Sequence, residues 1–551
     1  MDITISGNLF GNAVLPSLVD KDGRVLTDIV VPRTEREIKA ESFAGIGIKS
    51  IKLHAGVNSI EAGAFDGCTK LETIHVEDLD HWMRIDNGGW IDAGCPALVD
   101  KNGVVMDDIV IPEGPERIDP NEFAGVGIKS VVIPSTVTYI ADGAFAGCEK
   151  LKYIRIPSTV TEIGTRAFAG CTSVETVCVQ SAEHWFDILF AGDDAGIFCN
   201  PLVASSMAGN SPRLVDYDGN VIDLSVIPDG TTIIGRAAYA GLAGLETLVI
   251  PSSVVTIEAG ALAGCTNLKT ITIPESVRNI YANAFECCSS VQRVNISSVD
   301  HWLSIRFETA FSSPLTDSAI NGNTPVLVLN GSDVRTSISV PEGMTGIPSG
   351  TFCGLTGMTE LTIPSSVVSI SDDAVVGCVN LEKLTVPASV ELIGNLAFRQ
   401  IPSLKELVLL GGIKDLSFGL FQNLTNLTDI TLPSSVKSIP MLAFLNCTSL
   451  KNISLSEGLE SISQLAFNGC NALEEITLPS TVSELTGAFI NCESLSKIYV
   501  KNPVPPSSGW DIIFDNCALD CKIYVPRESL ESYKSAFGWS SHAAVIEPYD
   551  F

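Results

Sequence analysis

The chain has 551 residues, of which 45% are hydrophobic and only 18% are charged, a composition that argues against a disordered polypeptide. Its net charge of −30, from 34 Lys and Arg against 64 Asp and Glu, argues against binding to nucleic acid or anionic lipid. The sequence has no uninterrupted run of 18 apolar residues, so we expect no membrane insertion.

The first 32 residues are predicted to be a partial insertion that ends in a β-hairpin. The segment 1–7 lacks the basic start and apolar run of a signal peptide. We expect that a signal peptide, if the protein is exported, has been removed or lies outside this chain. From Leu18, the run LVDKDGRVLTDIVVP has two apolar stretches around a turn, which favours a hairpin.

Residues 33–500 are dominated by an apolar or aromatic residue that recurs fifteen times, with spacings of 22 or 23 residues within runs. A fixed period of this length is typical of a solenoid, in which each coil buries its apolar face against its neighbours. The recurring residues are Phe43, Phe65, Phe123, Phe145, Phe168, Tyr239, Leu262, Phe285, Phe352, Val375, Phe398, Phe421, Phe444, Phe467 and Phe489.

Each coil is predicted to contain one short strand. In residues 444–467, the alternation Leu450-x-x-Ile453-x-Leu455 fits a strand on an inner face. In sister coils a proline such as Pro274 ends the strand. We expect a single helical or 3₁₀ turn around the Ala-Phe pair on the outer side, and therefore a curved arc.

Cysteines recur three residues after the aromatic position in nine of the coils. Side chains at equivalent positions of stacked coils point the same way, which is poor geometry for a disulfide. We therefore predict a ladder of free thiols in the core, and Cys517 with Cys521 as the one plausible disulfide. The ladder positions are Cys68, Cys148, Cys171, Cys265, Cys288, Cys378, Cys447, Cys470 and Cys492.

Three insertions, at about 80–112, 183–228 and 300–341, divide the coils into runs of two, three, three and seven. Each insertion ends in a hairpin pattern, and the dipeptides 102–103, 218–219 and 330–331 (Asn-Gly or Asp-Gly) favour tight two-residue primed turns. Each begins with an acidic residue, a His and a Trp: Asp80-His81-Trp82, Glu183-His184-Trp185 and Asp300-His301-Trp302.

These acidic-His-Trp triplets suggest nucleophile activation at first sight. Adjacent residues do not face each other, however, and no nucleophile motif accompanies them. Three copies fit an architectural element better than one active site, so we predict that the tryptophans anchor the insertions. No phosphate-binding, zinc-protease or nucleophile-elbow motif is present, and we predict no catalytic residue, no metal site and no cofactor.

The last 51 residues, 501–551, are predicted to form a C-terminal cap. Their pattern predicts a strand at Ile523–Pro526 and a helix at Ser529–Phe537, with Trp510 and Trp539 as packing residues.

The recurring L-x-x-I-x-I-P…I…A-F-x-x-C pattern over most of residues 29–500 closely resembles the leucine-rich repeats of BspA-like proteins. It departs from the common leucine-rich repeat because Pro follows the strand and Cys precedes it. The resemblance implies an α/β repeat solenoid, a curved arc of parallel inner strands with 23-residue coils, hairpin-containing insertions and a cap. It further implies a bacterial protein, secreted or at the cell surface, that adheres to host matrix proteins or to other cells.

Candidate ligand-binding residues lie at outward positions of the inner strands, most of which are Thr or Ser. Binding hot spots favour Tyr, Trp and Arg, which singles out Tyr153, Arg155 and Arg293, with His75 as a further exception to Thr. In the insertions, Trp90 and Phe190 are rivals if they are exposed. Two other functions remain open: a passive spacer of the cell envelope, and a carbohydrate-binding module that uses aromatic residues of the insertions.

Overall fold

The chain winds into a solenoid of parallel strands with about 22 turns and few helices, which confirms the predicted repeat architecture. The computed structural model describes residues 18–19, 24–88, 94–192, 198–334, 336–509 and 513–551. Each regular coil contributes two short strands, not the single strand that was predicted. The strands stack into two sets of parallel sheets, called here the first ladder and the second ladder.

The first ladder is formed by the predicted strands. In most of them a buried residue lies between two neighbours that face outward, as for Ile154 between Tyr153 and Arg155. These strands are Asp28–Val30, Ser50–Lys52, Thr73–His75, Ala97–Val99, Asp108–Val110, Ser130–Val132, Tyr153–Arg155, Thr176–Cys178, Arg213–Val215, Thr247–Val249, Thr270–Ile273, Arg293–Ile296, Val326–Leu329, Thr336–Ser339, Met358–Thr362, Lys383–Val386, Glu406–Leu409, Asp429–Thr431, Asn452–Ser454, Glu475–Leu478, Lys497–Val500, Lys522–Pro526 and Ile546–Tyr549.

The second ladder falls on the second apolar pair of each coil. Its strands have two residues, too few for the alternation of buried and exposed side chains from which a strand is predicted. They are Glu37–Ile38, Ser59–Ile60, Asp86–Asn87, Arg117–Ile118, Tyr139–Ile140, Glu162–Ile163, Leu189–Phe190, Ile233–Ile234, Thr256–Ile257, Asn279–Ile280, Arg306–Phe307, Gly346–Ile347, Ser369–Ile370, Leu392–Ile393, Ser438–Ile439, Ser461–Ile462 and Glu484–Leu485.

The outer side of the coils consists of single hydrogen-bonded turns that do not continue into a helix, and one of them spans the Ala-Phe pair as predicted: the Asn468 N–H donates to Leu465 O at 3.2 Å. The reason that no helix continues is visible around Phe467, where Leu465 and Gly469 have positive φ angles of 57° and 75°. A left-handed residue on each side of the aromatic position interrupts any right-handed helix. The buried aromatic rings stack from coil to coil, with centroids 5.1 Å apart between Phe444 and Phe467.

Consecutive outer turns are joined by hydrogen bonds at the aromatic position. The Phe444 N–H donates to Ala466 O at 2.7 Å, and the Cys470 thiol donates to Phe444 O at 3.3 Å. Burial raises the pKa of the Cys470 thiol, which keeps it protonated. The cysteines of the ladder are free and buried, as predicted, and the proposed disulfide between Cys517 and Cys521 is wrong because both are free thiols.

The hairpins are present, but their turns differ from one another. Val326–Leu329 pairs with Ser332–Asp333 through a two-residue turn in which both Asn330 and Gly331 have positive φ, 51° and 80°, as a primed turn requires. Leu18–Val19 pairs with Val25–Leu26.

The predicted two-residue turns at 102–103 and 218–219 are wrong. Gly103 has a positive φ of 83° and Asn102 does not, so three residues form the loop. The Asp100 carboxylate closes it by accepting hydrogen bonds from the N–H groups of Asn102 and Val104, both at 2.8 Å.

Within the described residues, six short α-helices and three 3₁₀ helices lie in the insertions and the cap. The α-helices are α1 (Leu79–Trp82), α2 (Ala182–Asp187), α3 (Val203–Met207), α4 (Val299–Ser304), α5 (Thr316–Ile320) and α6 (Leu530–Ser535). The 3₁₀ helices are Ala310–Ser312, Arg527–Ser529 and Ser540–Val545.

The cap covers the last coil with α6, which lies within the predicted helix. The cap strands Lys522–Pro526 and Ile546–Tyr549 extend the first ladder. Trp539 is buried and its indole N–H donates to Pro506 O at 2.9 Å, while Trp510 lies outside the described residues.

The aromatic stack predicts unequal effects of truncating its members. Phe444 is fully buried between two rings, so Phe444→Ala should lower the free energy of unfolding by about 3–5 kcal/mol. Phe43 is half-buried, so Phe43→Ala is the control and should lower it less. Urea denaturation followed by circular dichroism measures both free energies of unfolding. Equal losses in the two variants would show that the contribution of a ring does not depend on its burial in the stack.

Candidate functional site

The acidic-His-Trp triplets lie in α1, α2 and α4, one at the start of each insertion. A capping side chain just before each helix accepts a hydrogen bond from the backbone N–H of the histidine, as a good N-cap does. The three caps are Asp78, Ser181 and Ser298, at 2.8, 3.2 and 3.0 Å.

The three histidines occupy the place of a hydroxyl in ordinary coils. In a regular coil, the Thr159 hydroxyl donates to Val137 O of the preceding coil at 2.6 Å. The imidazole Nε2 atoms of His81, His184 and His301 contact the equivalent carbonyl oxygens, those of Val57, Val160 and Val277, at 3.1, 3.2 and 2.9 Å.

A carbonyl oxygen only accepts hydrogen bonds, so Nε2 of each histidine carries a proton and donates it. In His81, Nδ1 accepts from the Glu77 N–H at 3.2 Å. Both nitrogens of His81 are thus used by the backbone, which leaves no free base for a nucleophile.

The three tryptophans replace a backbone amide. In an ordinary pair of coils, the Phe145 N–H donates to Ala167 O, the carbonyl just before the next aromatic residue, at 2.8 Å. The indole N–H groups of Trp82, Trp185 and Trp302 donate to the equivalent oxygens of Glu122, Ala238 and Thr351 at 2.9, 2.8 and 3.0 Å. The prediction that these tryptophans anchor the insertions is confirmed.

On the outward face of the first ladder, two of the predicted binding residues come together with a third that was not predicted. The Arg155 guanidinium carbon lies 4.4 Å from the centre of the Tyr217 ring, and the Tyr217 hydroxyl donates to Ile156 O at 3.0 Å. Tyr153 lies in the same strand as Arg155. We call Tyr153, Arg155 and Tyr217 the Tyr–Arg cluster.

Burial is the main cause that raises the pKa of Tyr153 to about 12, and a hydrogen bond with the Cys178 side chain adds to it. The phenol of Tyr153 is therefore neutral at physiological pH. Tyr217 reaches Arg155 from the hairpin of the second insertion, so the cluster combines a regular coil with an interruption of the repeat.

A second aromatic group lies on the cap. The rings of Tyr499 and Tyr524 stack with centroids 4.9 Å apart, and Tyr549 packs edge-on against them at 5.2 and 5.6 Å. We call these three residues the cap tyrosine cluster. Sequence analysis missed it, although Tyr at the outward position of two K-I-Y-V strands is a visible departure from Thr.

Two open cavities lie along the edge of the first ladder. One, of about 430 Å³, is lined by Lys49, Lys70, Glu72, Cys95 and Lys150 among others, and the second, of about 370 Å³, by Lys152, Glu175 and Arg213 among others. Burial raises the pKa of the Cys95 thiol, so it is not a reactive thiolate.

The described part of the chain contains no group of three or more His, Cys, Asp or Glu placed to hold a metal ion. Within the same residues, no helix is long and apolar enough to cross a membrane.

Comparison with family models agrees with this geometry. The model described as "BspA type Leucine rich repeat region (6 copies)" matches residues 22–86, 102–190, 219–323, 330–439 and 414–543. The chain belongs to the BspA-type leucine-rich repeat family. Members of the leucine-rich repeat class generally bind proteins and are generally not catalysts.

Several solved bacterial leucine-rich repeat proteins are similar to this BspA-type chain. One from Eubacterium ventriosum is 20% identical with a TM-score of 0.40, covering 64% of this chain and 80% of its own. A leucine-rich cell surface protein from Faecalibacterium prausnitzii is 18% identical with a TM-score of 0.27, covering 90% and 95%. The pneumococcal vaccine antigen PcpA is 15% identical with a TM-score of 0.31, covering 96% and 90%. No curated protein matches the chain.

The remaining predicted binding residues of this BspA-type protein do not join the Tyr–Arg cluster. Arg293 lies in another sheet of the first ladder and pairs with Asp333 at 3.5 Å. His75 lies in the first sheet, where its Nε2 is 3.3 Å from the Thr73 hydroxyl. Phe190 is only 2% exposed, so it is not available to a ligand as the prediction required. Trp90 lies outside the described residues.

Glu122 is a buried carboxyl whose pKa is strongly raised. It is 5% exposed, and burial, with a smaller contribution from Asp119, raises its pKa from 4.5 to about 8. Its Oε1 has no hydrogen-bond partner among the described residues. Perturbed carboxyls are frequent in active sites, but no nucleophile contacts this one among those residues.

The role of the tryptophans predicts a loss of stability in Trp302→Phe. This change removes the donor to Thr351 O, which is buried, and should lower the free energy of unfolding by at least about 1–3 kcal/mol. Tyr239→Phe is the control, because the Tyr239 hydroxyl is buried with no hydrogen-bond partner among the described residues and its removal should be neutral or stabilising. Urea denaturation compares them, and equal destabilisation would argue against the role of the indole donor.

The raised pKa of Glu122 predicts that the stability of the fold depends on pH, and that Glu122→Gln removes this dependence. Between about pH 4.5 and pH 8 the folded state keeps a proton that the unfolded state has lost, so stability falls as pH rises through this window. The variant should be more stable than the parent by up to about 5 kcal/mol above pH 8 and equal to it below pH 4.5. Glu113→Gln, at an exposed position, is the control. If the free energy of unfolding changes with pH in the same way in the parent and in Glu122→Gln, Glu122 is ionised in the folded state and the prediction is wrong.

Proposed function

We propose that this protein is a non-catalytic protein of the bacterial surface that binds a protein ligand through the outward face of its first ladder. The observation that carries the proposal is the contact between the Arg155 guanidinium group and the Tyr217 ring, 4.4 Å apart. Cation–π contact holds the arginine in one orientation. A pre-oriented Arg beside two Tyr side chains loses little conformational entropy on binding, and these residue types dominate binding hot spots.

The surroundings of the cluster also suit a protein ligand. The strand positions beside it are small polar residues such as Ser130 and Thr176, which can be covered by a partner without leaving a buried charge. We propose a host extracellular matrix protein or a cell-surface protein as the ligand, and an extracellular location for the chain. Arg293 and His75 stay as further candidate contacts in neighbouring sheets.

A lack of catalysis is part of the proposal. Support comes from the histidines of the triplets, whose Nε2 atoms donate to backbone carbonyl oxygens and therefore do not accept a proton from a nucleophile. The alternative function is a passive envelope spacer, for which no saturable ligand is expected.

Binding to immobilised extracellular matrix proteins tests the proposal. We expect saturable binding to at least one of them, weakened about tenfold or more by Arg155→Ala and by Tyr153→Ala. Thr385→Ala, on the same face in another sheet, is the matched control and should bind like the parent. Surface plasmon resonance measures the affinities.

Two results would count against the proposal. The absence of any saturable ligand would favour the passive spacer. Equal loss of binding in Thr385→Ala and Arg155→Ala would indicate that the ligand does not recognise the Tyr–Arg cluster.

A further inference from the structure

We propose that the cap tyrosine cluster is a carbohydrate-binding site for a neutral oligosaccharide, separate from the Tyr–Arg cluster. Tyr499 and Tyr524 come from adjacent strands of the first ladder, and Tyr549 comes from the next strand. Their rings form one continuous aromatic surface on the outward side of the sheet. Phe551 extends it, with its ring 4.9 Å from that of Tyr549.

This surface is open to solvent. Tyr549 is 41% exposed and Phe551 is 51% exposed, and Tyr499 and Tyr524 are half-buried. Among the described residues, the hydroxyls of the three tyrosines take no hydrogen bond. The buried Tyr533 of the same cap differs, because its hydroxyl donates to Asn502 O at 2.6 Å. The cluster therefore combines an exposed apolar surface with three unused hydroxyl groups.

Ion pairs border the rings. Lys522 Nζ lies 2.7 Å from the Glu547 carboxylate, and both side chains are part-exposed on the face that carries Tyr524. Next to Tyr549, the Asp550 carboxylate accepts two hydrogen bonds from the Arg527 guanidinium group, at 2.9 and 2.8 Å. The border thus offers both hydrogen-bond donors and acceptors at fixed places.

The chemistry of a sugar ring matches this arrangement. The C–H face of a pyranose is apolar and packs flat against an aromatic ring, while its hydroxyls each donate and accept. A proline-rich peptide also packs on aromatic grooves, but proline has no N–H group, so such a peptide offers few donors to the tyrosine hydroxyls and the bordering carboxylates. A folded protein partner needs about 800 Å² of contact surface on each side, far more than four part-exposed rings provide.

Packing between strands is the competing explanation of the cluster. Aromatic pairs across neighbouring strands stabilise a sheet by themselves, about 0.2–1 kcal/mol each, without any ligand. That role explains the stacking of Tyr499 on Tyr524. It does not explain the exposure of Tyr549 or its unused hydroxyl, so the two explanations differ in whether Tyr549 affects binding.

Isothermal titration of the full chain with hexasaccharides of glucose, N-acetylglucosamine and mannose tests the proposal, with a proline decapeptide as the competing probe. We expect at least one hexasaccharide to bind, and Tyr524→Ala and Tyr549→Ala each to weaken it about tenfold or more. Tyr281→Ala is the matched control, because Tyr281 is 39% exposed outside the cluster, and it should bind like the parent. Thermal unfolding checks that each variant is folded.

The proposal is overturned if none of the three hexasaccharides binds, if the decapeptide binds and they do not, or if binding survives in folded Tyr549→Ala. The outcome is independent of the matrix-protein experiment, because Arg155→Ala leaves the cap tyrosine cluster intact. Arg155→Ala should therefore keep full hexasaccharide binding.

Discussion

Every outer turn of the solenoid leaves carbonyl groups that only a neighbouring coil can satisfy. Buried carbonyls without a donor are costly, and the coils satisfy them with a backbone amide from the next coil and, in many coils, with a thiol or a hydroxyl as well. Around Phe444 and Cys470 these donors come from the repeat itself. This requirement explains why the recurring Cys and Ser/Thr positions are part of the repeat along with the apolar ones.

The insertions obey the same requirement with different residues. An insertion changes the course of the backbone, so the amide and the hydroxyl of an ordinary coil are no longer in place. Trp302 supplies the missing amide donor and His301 the missing hydroxyl donor. The adjacency of acidic residue, His and Trp thus reflects a short capped helix that aims two donors at two neighbouring coils, one on each side.

The repeat period, the free-thiol ladder and the insertions could be predicted because they depend on residues close in sequence and repeated many times. The second ladder was missed since its two-residue strands carry no alternation. The loop at Asp100 differed from the predicted turn because a side-chain carboxylate, not the Asn-Gly pair alone, decides its length. The partner of Arg155 was missed because Tyr217 lies 62 positions away and reaches it only in the folded chain.

The donors supplied by His and Trp make a run and its insertion an interchangeable module. Such a module presents the same kinds of hydrogen-bonding groups to its neighbours as a single coil does, because its His and Trp N–H groups donate to the carbonyl oxygens of the coils on either side. Recombination between copies can therefore add or remove a whole run without leaving a buried carbonyl unpaired. The length of the outward face, and the distance between the Tyr–Arg cluster and the cap, can change while the rest of the fold stays intact.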